Sequence, residues 1–122
     1  MNPVTGLALG RVAVGAVALG NPELAGRLFR LDAANNPQLP YFSRLFGSRE
    51  IAIGALTLLA RGSTRRNLVL AGIAIDAADG ATGYLGMRDG YLSRSTAMAL
   101  TGPAVGAVLA GLAGLRPRGS RT

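Results

Sequence analysis

The chain has 122 residues, 49% of them apolar and 16% charged, with 18 glycines and a formal net charge of +7 carried by arginine without any lysine. A mean hydropathy of +0.33 is high for a soluble globule of one-domain length and places the chain among membrane proteins. Cysteine and histidine are absent, which excludes disulfides, thiolate chemistry, imidazole base catalysis, His/Cys metal sites and histidine haem ligation. The arginines sit in short gaps between apolar runs rather than in a patch interleaved with aromatics, so no nucleic-acid partner is expected.

In chain order, the first apolar run covers residues 4–20 with Arg11 near its centre. Met1-Asn2-Pro3 ahead of it has no basic leader, so this run is expected to be retained rather than cleaved. Asn21-Pro22 reads as a cap followed by proline at a first helical position, opening a short interfacial helix over 22–31. Leu24, Leu28 and Leu31 line one side of that helix, and Glu23, Arg27 and Arg30 another. Two prolines make 32–40 an irregular connection.

Three further runs follow over 42–60, 67–86 and 96–115, separated by polar turns at 61–66 and 88–90. At about 1.5 Å per residue each run is roughly 25–30 Å long, close to the hydrocarbon thickness of a bilayer. The expected fold is therefore all-α, a single-domain four-helix transmembrane bundle with an interfacial helix between the first two spans. Pro103 lies inside the fourth run and predicts a kink.

In that topology one side carries Arg61, Arg65, Arg66, Arg116, Arg118 and Arg121 without an acid. The other carries Arg27, Arg30, Arg88 and Arg94, diluted by Glu23, Asp32 and Asp89. The positive-inside rule then puts both termini in the cytoplasm of a bacterial inner membrane. Phe29, Tyr41, Phe42, Phe46, Tyr84 and Tyr91 fall toward the opposite interface as an aromatic belt.

Stepping by four and three along each helix brings out the chemistry. The first run places Val4, Ala8, Arg11, Gly15 and Ala18 on one face, the second Gly47, Glu50, Gly54 and Thr57, and the third Gly72, Asp76, Asp79, Gly83 and Gly86. Each face is small-residued and carries at least one ionisable group. An unpaired charge at bilayer depth costs from about 3 to over 10 kcal/mol, so these groups are expected to pair. By depth, Arg11 lies about 10 Å and Asp76 about 14 Å from the same surface, while Glu50 and Asp79 share a level.

The expected cluster is thus Arg11 with Asp76, and Arg49 or Arg44 with Glu50 and Asp79. Counting Arg11, Arg49, Glu50, Asp76 and Asp79 leaves a net charge of −1. Such a cluster either holds the bundle in register or forms a polar cavity for an ion, a proton or a small polar ligand. Gly6, Gly10, Gly47, Gly54, Gly72, Gly83, Gly102 and Gly106 are the expected helix-packing positions, with Gly6-x-x-x-Gly10 and Gly102-x-x-x-Gly106 as association motifs.

Two resemblances bear on this reading. Asp76-Ala-Ala-Asp79-Gly80 resembles the opening of the CDP-alcohol phosphotransferase motif, which implies metal-dependent phosphoryl transfer at membrane-embedded aspartates. That motif's later carboxylates would fall near Ser93, Ala97 and Thr101, so neither a metal site nor this enzyme is expected. Arg44-Leu-Phe-Gly47-Ser-Arg49-Glu50 with the following Gly54 and an aspartate in the third span is similar to a family of small uncharacterised four-helix bacterial integral membrane proteins, a domain of unknown function. That likeness implies the fold and no activity.

The resulting expectation is a non-enzymatic membrane component without a cofactor, structural or accessory in role. Its partners are the lipid bilayer and a homo-oligomer or larger membrane complex. The alternative is a small ion- or proton-coupled transporter or channel using Asp76, Asp79 and Glu50.

Overall fold

Asparagine and serine start three of the helices. In the computed structural model, which describes residues 2–32 and 34–115, the chain forms α1 (Pro3–Gly20), α2 (Pro22–Leu28), α3 (Leu39–Leu59), α4 (Gly62–Arg88) and α5 (Arg94–Gly114). Asn2, Asn21 and Ser93 accept hydrogen bonds from the backbone N–H groups of Thr5, Leu24 and Thr96 at 2.9, 3.1 and 3.1 Å, satisfying donors that the first helical turn leaves free. Pro3 and Pro22 follow their caps, where a missing N–H costs nothing. The described residues are all-α, with no strand among them.

Three of the five helices, α1, α4 and α5, are long and apolar enough to cross a membrane. The remaining expected span corresponds to α3, which falls outside this set. With 21 residues α3 matches α5 in length, but Arg44, Arg49 and Glu50 lie along it and dilute its apolar character.

The polar turn expected over 61–66 is also shorter. Ala60 ends α3, Gly62 at φ +60° reverses the chain, and Arg65 and Arg66 already belong to α4. Arg65 Nη2 donates to Thr5 Oγ1 at 2.9 Å and joins the first turn of α4 to that of α1. Arg116, Arg118 and Arg121 of the expected basic side lie outside the described residues.

The interfacial helix stops at Leu28 rather than Leu31. Leu31 N–H donates to Gly26 O at 2.8 Å and Arg30 N–H to Arg27 O at 3.1 Å, the paired bonds of a Schellman ending. Arg30 takes the left-handed position at φ 59°, where glycine is the usual occupant. Replacing Arg30 by glycine is expected to raise stability by about 0.5–1 kcal/mol, read by thermal unfolding in detergent. The Arg30 carbonyl also accepts from Thr96 Oγ1 at 2.6 Å, tying the end of α2 to the start of α5.

The helices pack as two pairs, α1 along α3 and α4 along α5, with sparser contact between the pairs through α1–α5 and α3–α4. Glycine sets the closeness of the first pair. A Cβ on Gly47 would lie 2.6 Å from Gly15 O, and one on Gly54 would lie 2.7 Å from Ala8 O, so backbone meets backbone without side chains between. Within the second pair, Gly83 lies under Thr101 and Gly86 under Leu92.

The interior is small and polar while the outside is large and apolar. Buried residues include Ala8, Ala18, Ala97 and Ala104 together with Arg11, Glu50, Thr57, Asp76 and Thr96, and no large side chain is fully buried. Leu9, Leu19, Leu45, Leu56, Leu70, Met98, Leu109 and Leu112 all point outward. The association motifs face outward as well. Gly6 is exposed, and a Cβ at Gly10, Gly102 or Gly106 would meet nothing within 4 Å, so Gly10, Gly102 and Gly106 pack against no other helix among the described residues. α5 runs through Pro103 without a break in the helix.

Candidate functional site

The faces read from the four-and-three spacing converge on one cluster where α1, α3 and α4 meet. Arg11 is 7% exposed, and Glu50 and Asp76 are 4% exposed each. From α1, the Arg11 guanidinium reaches α4 in a two-armed contact. Its Nη1 donates to Asp76 Oδ1 at 2.9 Å and its Nη2 to Asp76 Oδ2. The same Nη1 donates to Glu50 Oε2 on α3 at 2.9 Å.

Arg49, one residue before Glu50, supplies the second half. Its Nη2 donates to Glu50 Oε1 at 3.1 Å and to Asp79 Oδ2 at 2.7 Å, and its Nη1 to Asp79 Oδ1 at 3.3 Å. The charges therefore alternate as Asp76, Arg11, Glu50, Arg49, Asp79. All six carboxylate oxygens accept from a guanidinium, and such bidentate contacts fix geometry as well as charge.

Local structure explains this convergence. Gly72 sits one turn before Asp76 and leaves room for Arg11, since a Cβ there would lie 2.8 Å from Arg11 Nη2. Gly54, one turn beyond Glu50, lies against Ala8 O and brings α1 close enough for Arg11 to reach both neighbours. Phe46, three residues before Arg49 on α3, lies under its guanidinium at 5.2 Å, and Phe29 meets the Phe46 ring edge-on at 6.3 Å.

Among the sequence-expected residues, Arg11, Arg49, Glu50, Asp76 and Asp79 are brought together. Arg44 is not: its Nε donates to Leu19 O at 3.3 Å, beside Ser43 Oγ donating to Ala18 O at 2.7 Å. Phe46 was missed by the spacing argument, although its separation from Arg49 is a helical neighbour spacing.

A cleft of about 600 Å³ opens beside the cluster. α1 and α5 meet at one end, where Gly114 rests on Val4 and Gly111 on Ile73 and Leu7. Leu31, Tyr91 and Leu92 line it toward the other end, near the Arg30–Thr96 bond. Between these, Gly10 and Val14 of α1 face Pro103, Gly106 and Ala107 of α5, with Phe29, Phe42 and Phe46 at the α2 end. Its charged lining is Arg11, Glu50, Asp76 and Asp79.

One carboxylate oxygen from each of Glu50, Asp76 and Asp79 lies within 4.8 Å of the others, as a metal site would require. Every one of these oxygens already accepts from arginine, so a small hard cation on them would lie against both guanidinium groups.

No known protein family, curated protein or solved structure matches the chain.

Proposed function

We propose that this is a small non-enzymatic integral membrane protein whose α1, α3, α4 and α5 all cross the bilayer, and whose charged cluster clasps the two helix pairs together. The observation that carries this reading is the inverted distribution of side chains. Alanine, glycine and paired charges lie inside, and leucine, methionine and tyrosine face out. Lipid is the solvent in which that arrangement is favourable, because apolar outer surface costs nothing there and close small-residue contacts supply the cohesion.

In the same reading α3 crosses despite its charges. Arg49 and Glu50 are neutralised within the cluster, and Arg44 lies near the aromatic end, where a long cationic side chain reaches the headgroups. The role is structural or accessory, in a homo-oligomer or a larger membrane complex of a bacterial inner membrane.

The absence of cysteine makes a topology test direct. With Ala34→Cys and Ser63→Cys introduced singly, a membrane-impermeant maleimide applied to intact cells is expected to label the first position and not the second, since α3 separates them. Labelling of both from one side would mean that α3 does not cross. A protein that is monodisperse without detergent would sink the membrane reading altogether.

The transporter alternative draws on the unbalanced negative charge of the cluster. pH-driven ion flux in liposomes that disappears in Asp76→Asn would displace the structural reading.

A further inference from the structure

We propose that the cleft between α1 and α5 binds an amphipathic organic monocation, its charge against Asp79 and its apolar body along α5. This rests on the membrane reading above.

The shape comes first. A volume of about 600 Å³ lies within the range of small-molecule sites, roughly 300–1,000 Å³, and its lining is mostly apolar with a few charged groups gathered at one wall. Gly6, Gly10 and Gly106 border it, and a Cβ at Gly10 or Gly106 would meet nothing within 4 Å, so these association motifs of α1 and α5 bound an open space rather than a seam. In a bilayer this opening faces the acyl chains, which is the route an amphiphile would take.

Charge selects the ligand. The lining holds three carboxylates and one guanidinium, because Arg49 lies behind Asp79 rather than in the cleft wall. Glu50 and Asp76 are sealed at 6% and 5% side-chain exposure, whereas Asp79 is open at 35%. Asp79 is paired with Arg49, and its open side is where the net negative charge of the whole cluster reaches the cleft.

Its oxygens keep free lone pairs beyond those that Arg49 uses. A metal ion would need several of these oxygens at close range and would meet the guanidinium groups that share them; a bulky cation needs only the field, which is strong in a low-dielectric setting. An anion of the same shape would meet repulsion, and a neutral molecule would leave the negative charge unanswered.

The test uses two ions of nearly equal size and opposite charge, tetraphenylphosphonium and tetraphenylborate, with the full chain in phosphatidylcholine nanodiscs. After subtraction of uptake by protein-free nanodiscs, equilibrium dialysis is expected to show about one tetraphenylphosphonium per chain and at least tenfold weaker protein-dependent binding of tetraphenylborate. Asp79→Asn should weaken tetraphenylphosphonium at least tenfold without weakening tetraphenylborate. Gly10→Leu and Gly106→Leu place side chains in the cleft where a Cβ has no neighbour within 4 Å; both should lose the cation while helicity and elution stay as in the wild type.

Equal binding of the two ions, or an Asp79→Asn protein that binds as the wild type does, would overturn the proposal. So would a folded wild type that takes up no cation, including one whose native mass shows a dimer covering the cleft. Those results leave the bundle reading standing, whereas solubility without detergent removes the bundle reading itself.

Discussion

Replacing Arg11 by alanine is expected to destabilise the protein by about 3–5 kcal/mol, the largest loss from any single charge change in this chain. Among the described residues Arg11 is the only contact that joins Glu50 to Asp76 and the only partner of Asp76. Its removal leaves two carboxylates buried at 4% exposure, one without any counter-charge. The cost is dominated by those stranded acids rather than by the bonds themselves, since breaking one side of a buried pair exposes the full desolvation penalty of the other.

A double variant separates the two contributions. Arg11→Ala with Asp76→Ala should be less destabilising than the sum of the single changes, by about 1–3 kcal/mol. Arg49→Ala should cost less than Arg11→Ala, because Glu50 keeps its bond to Arg11 and the one acid left without a partner, Asp79, is at 35% side-chain exposure far less buried than Asp76 at 5%. Equilibrium unfolding in mixed micelles measures all of these. Strict additivity of the Arg11 and Asp76 changes would show that the two do not act as a pair.

Glycine to alanine at position 47 is expected to destabilise by about 1–3 kcal/mol, although alanine is the better helix former. The added Cβ would sit 2.6 Å from Gly15 O and 2.8 Å from Leu19 N, both backbone atoms that cannot rotate away. α1 and α3 would have to separate, and Arg11 would lose its reach to Glu50.

The same substitution at Gly10 or Gly106 meets nothing within 4 Å and is expected to stabilise by about 0.5–1 kcal/mol, the ordinary helix preference for alanine. The contrast is checked by thermal unfolding of Gly47→Ala, Gly10→Ala and Gly106→Ala side by side. A neutral Gly47→Ala would refute the backbone contact between α1 and α3.

Spacing alone determined the faces that these two predictions rely on. The sets Val4, Ala8, Arg11, Gly15, Ala18 and Gly47, Glu50, Gly54, Thr57 are the buried residues of α1 and α3. The reason is physical: a helix has a fixed angular step, and a charge among glycines and alanines in an apolar run has no favourable place except against a partner. The α4 face was legible in the same way, with Val69 added to it and Asp79 left half open.

Which arginine meets which acid was decided only by the packing of helices distant in sequence. Arg44 and Arg49 are both on α3, and nothing local distinguishes them; Arg49 lies over Phe46 and beside Asp79, while Arg44 turns back to Leu19 O. The glycine motifs show the same division. Gly10 and Gly106 have the spacing of a helix contact, yet spacing fixes only a face, and whether another helix lies on that face depends on how the two pairs are set against each other. α1 and α5 touch at Val4 and Gly114 and leave a cleft beyond, so a repeat that reads as a seam borders a space. Sequence by itself determined the helices and the side of each that carries charge, because those follow from local geometry and solvation; the tertiary structure decided the pairing order and the cleft, because both depend on where separate helices stop short of one another.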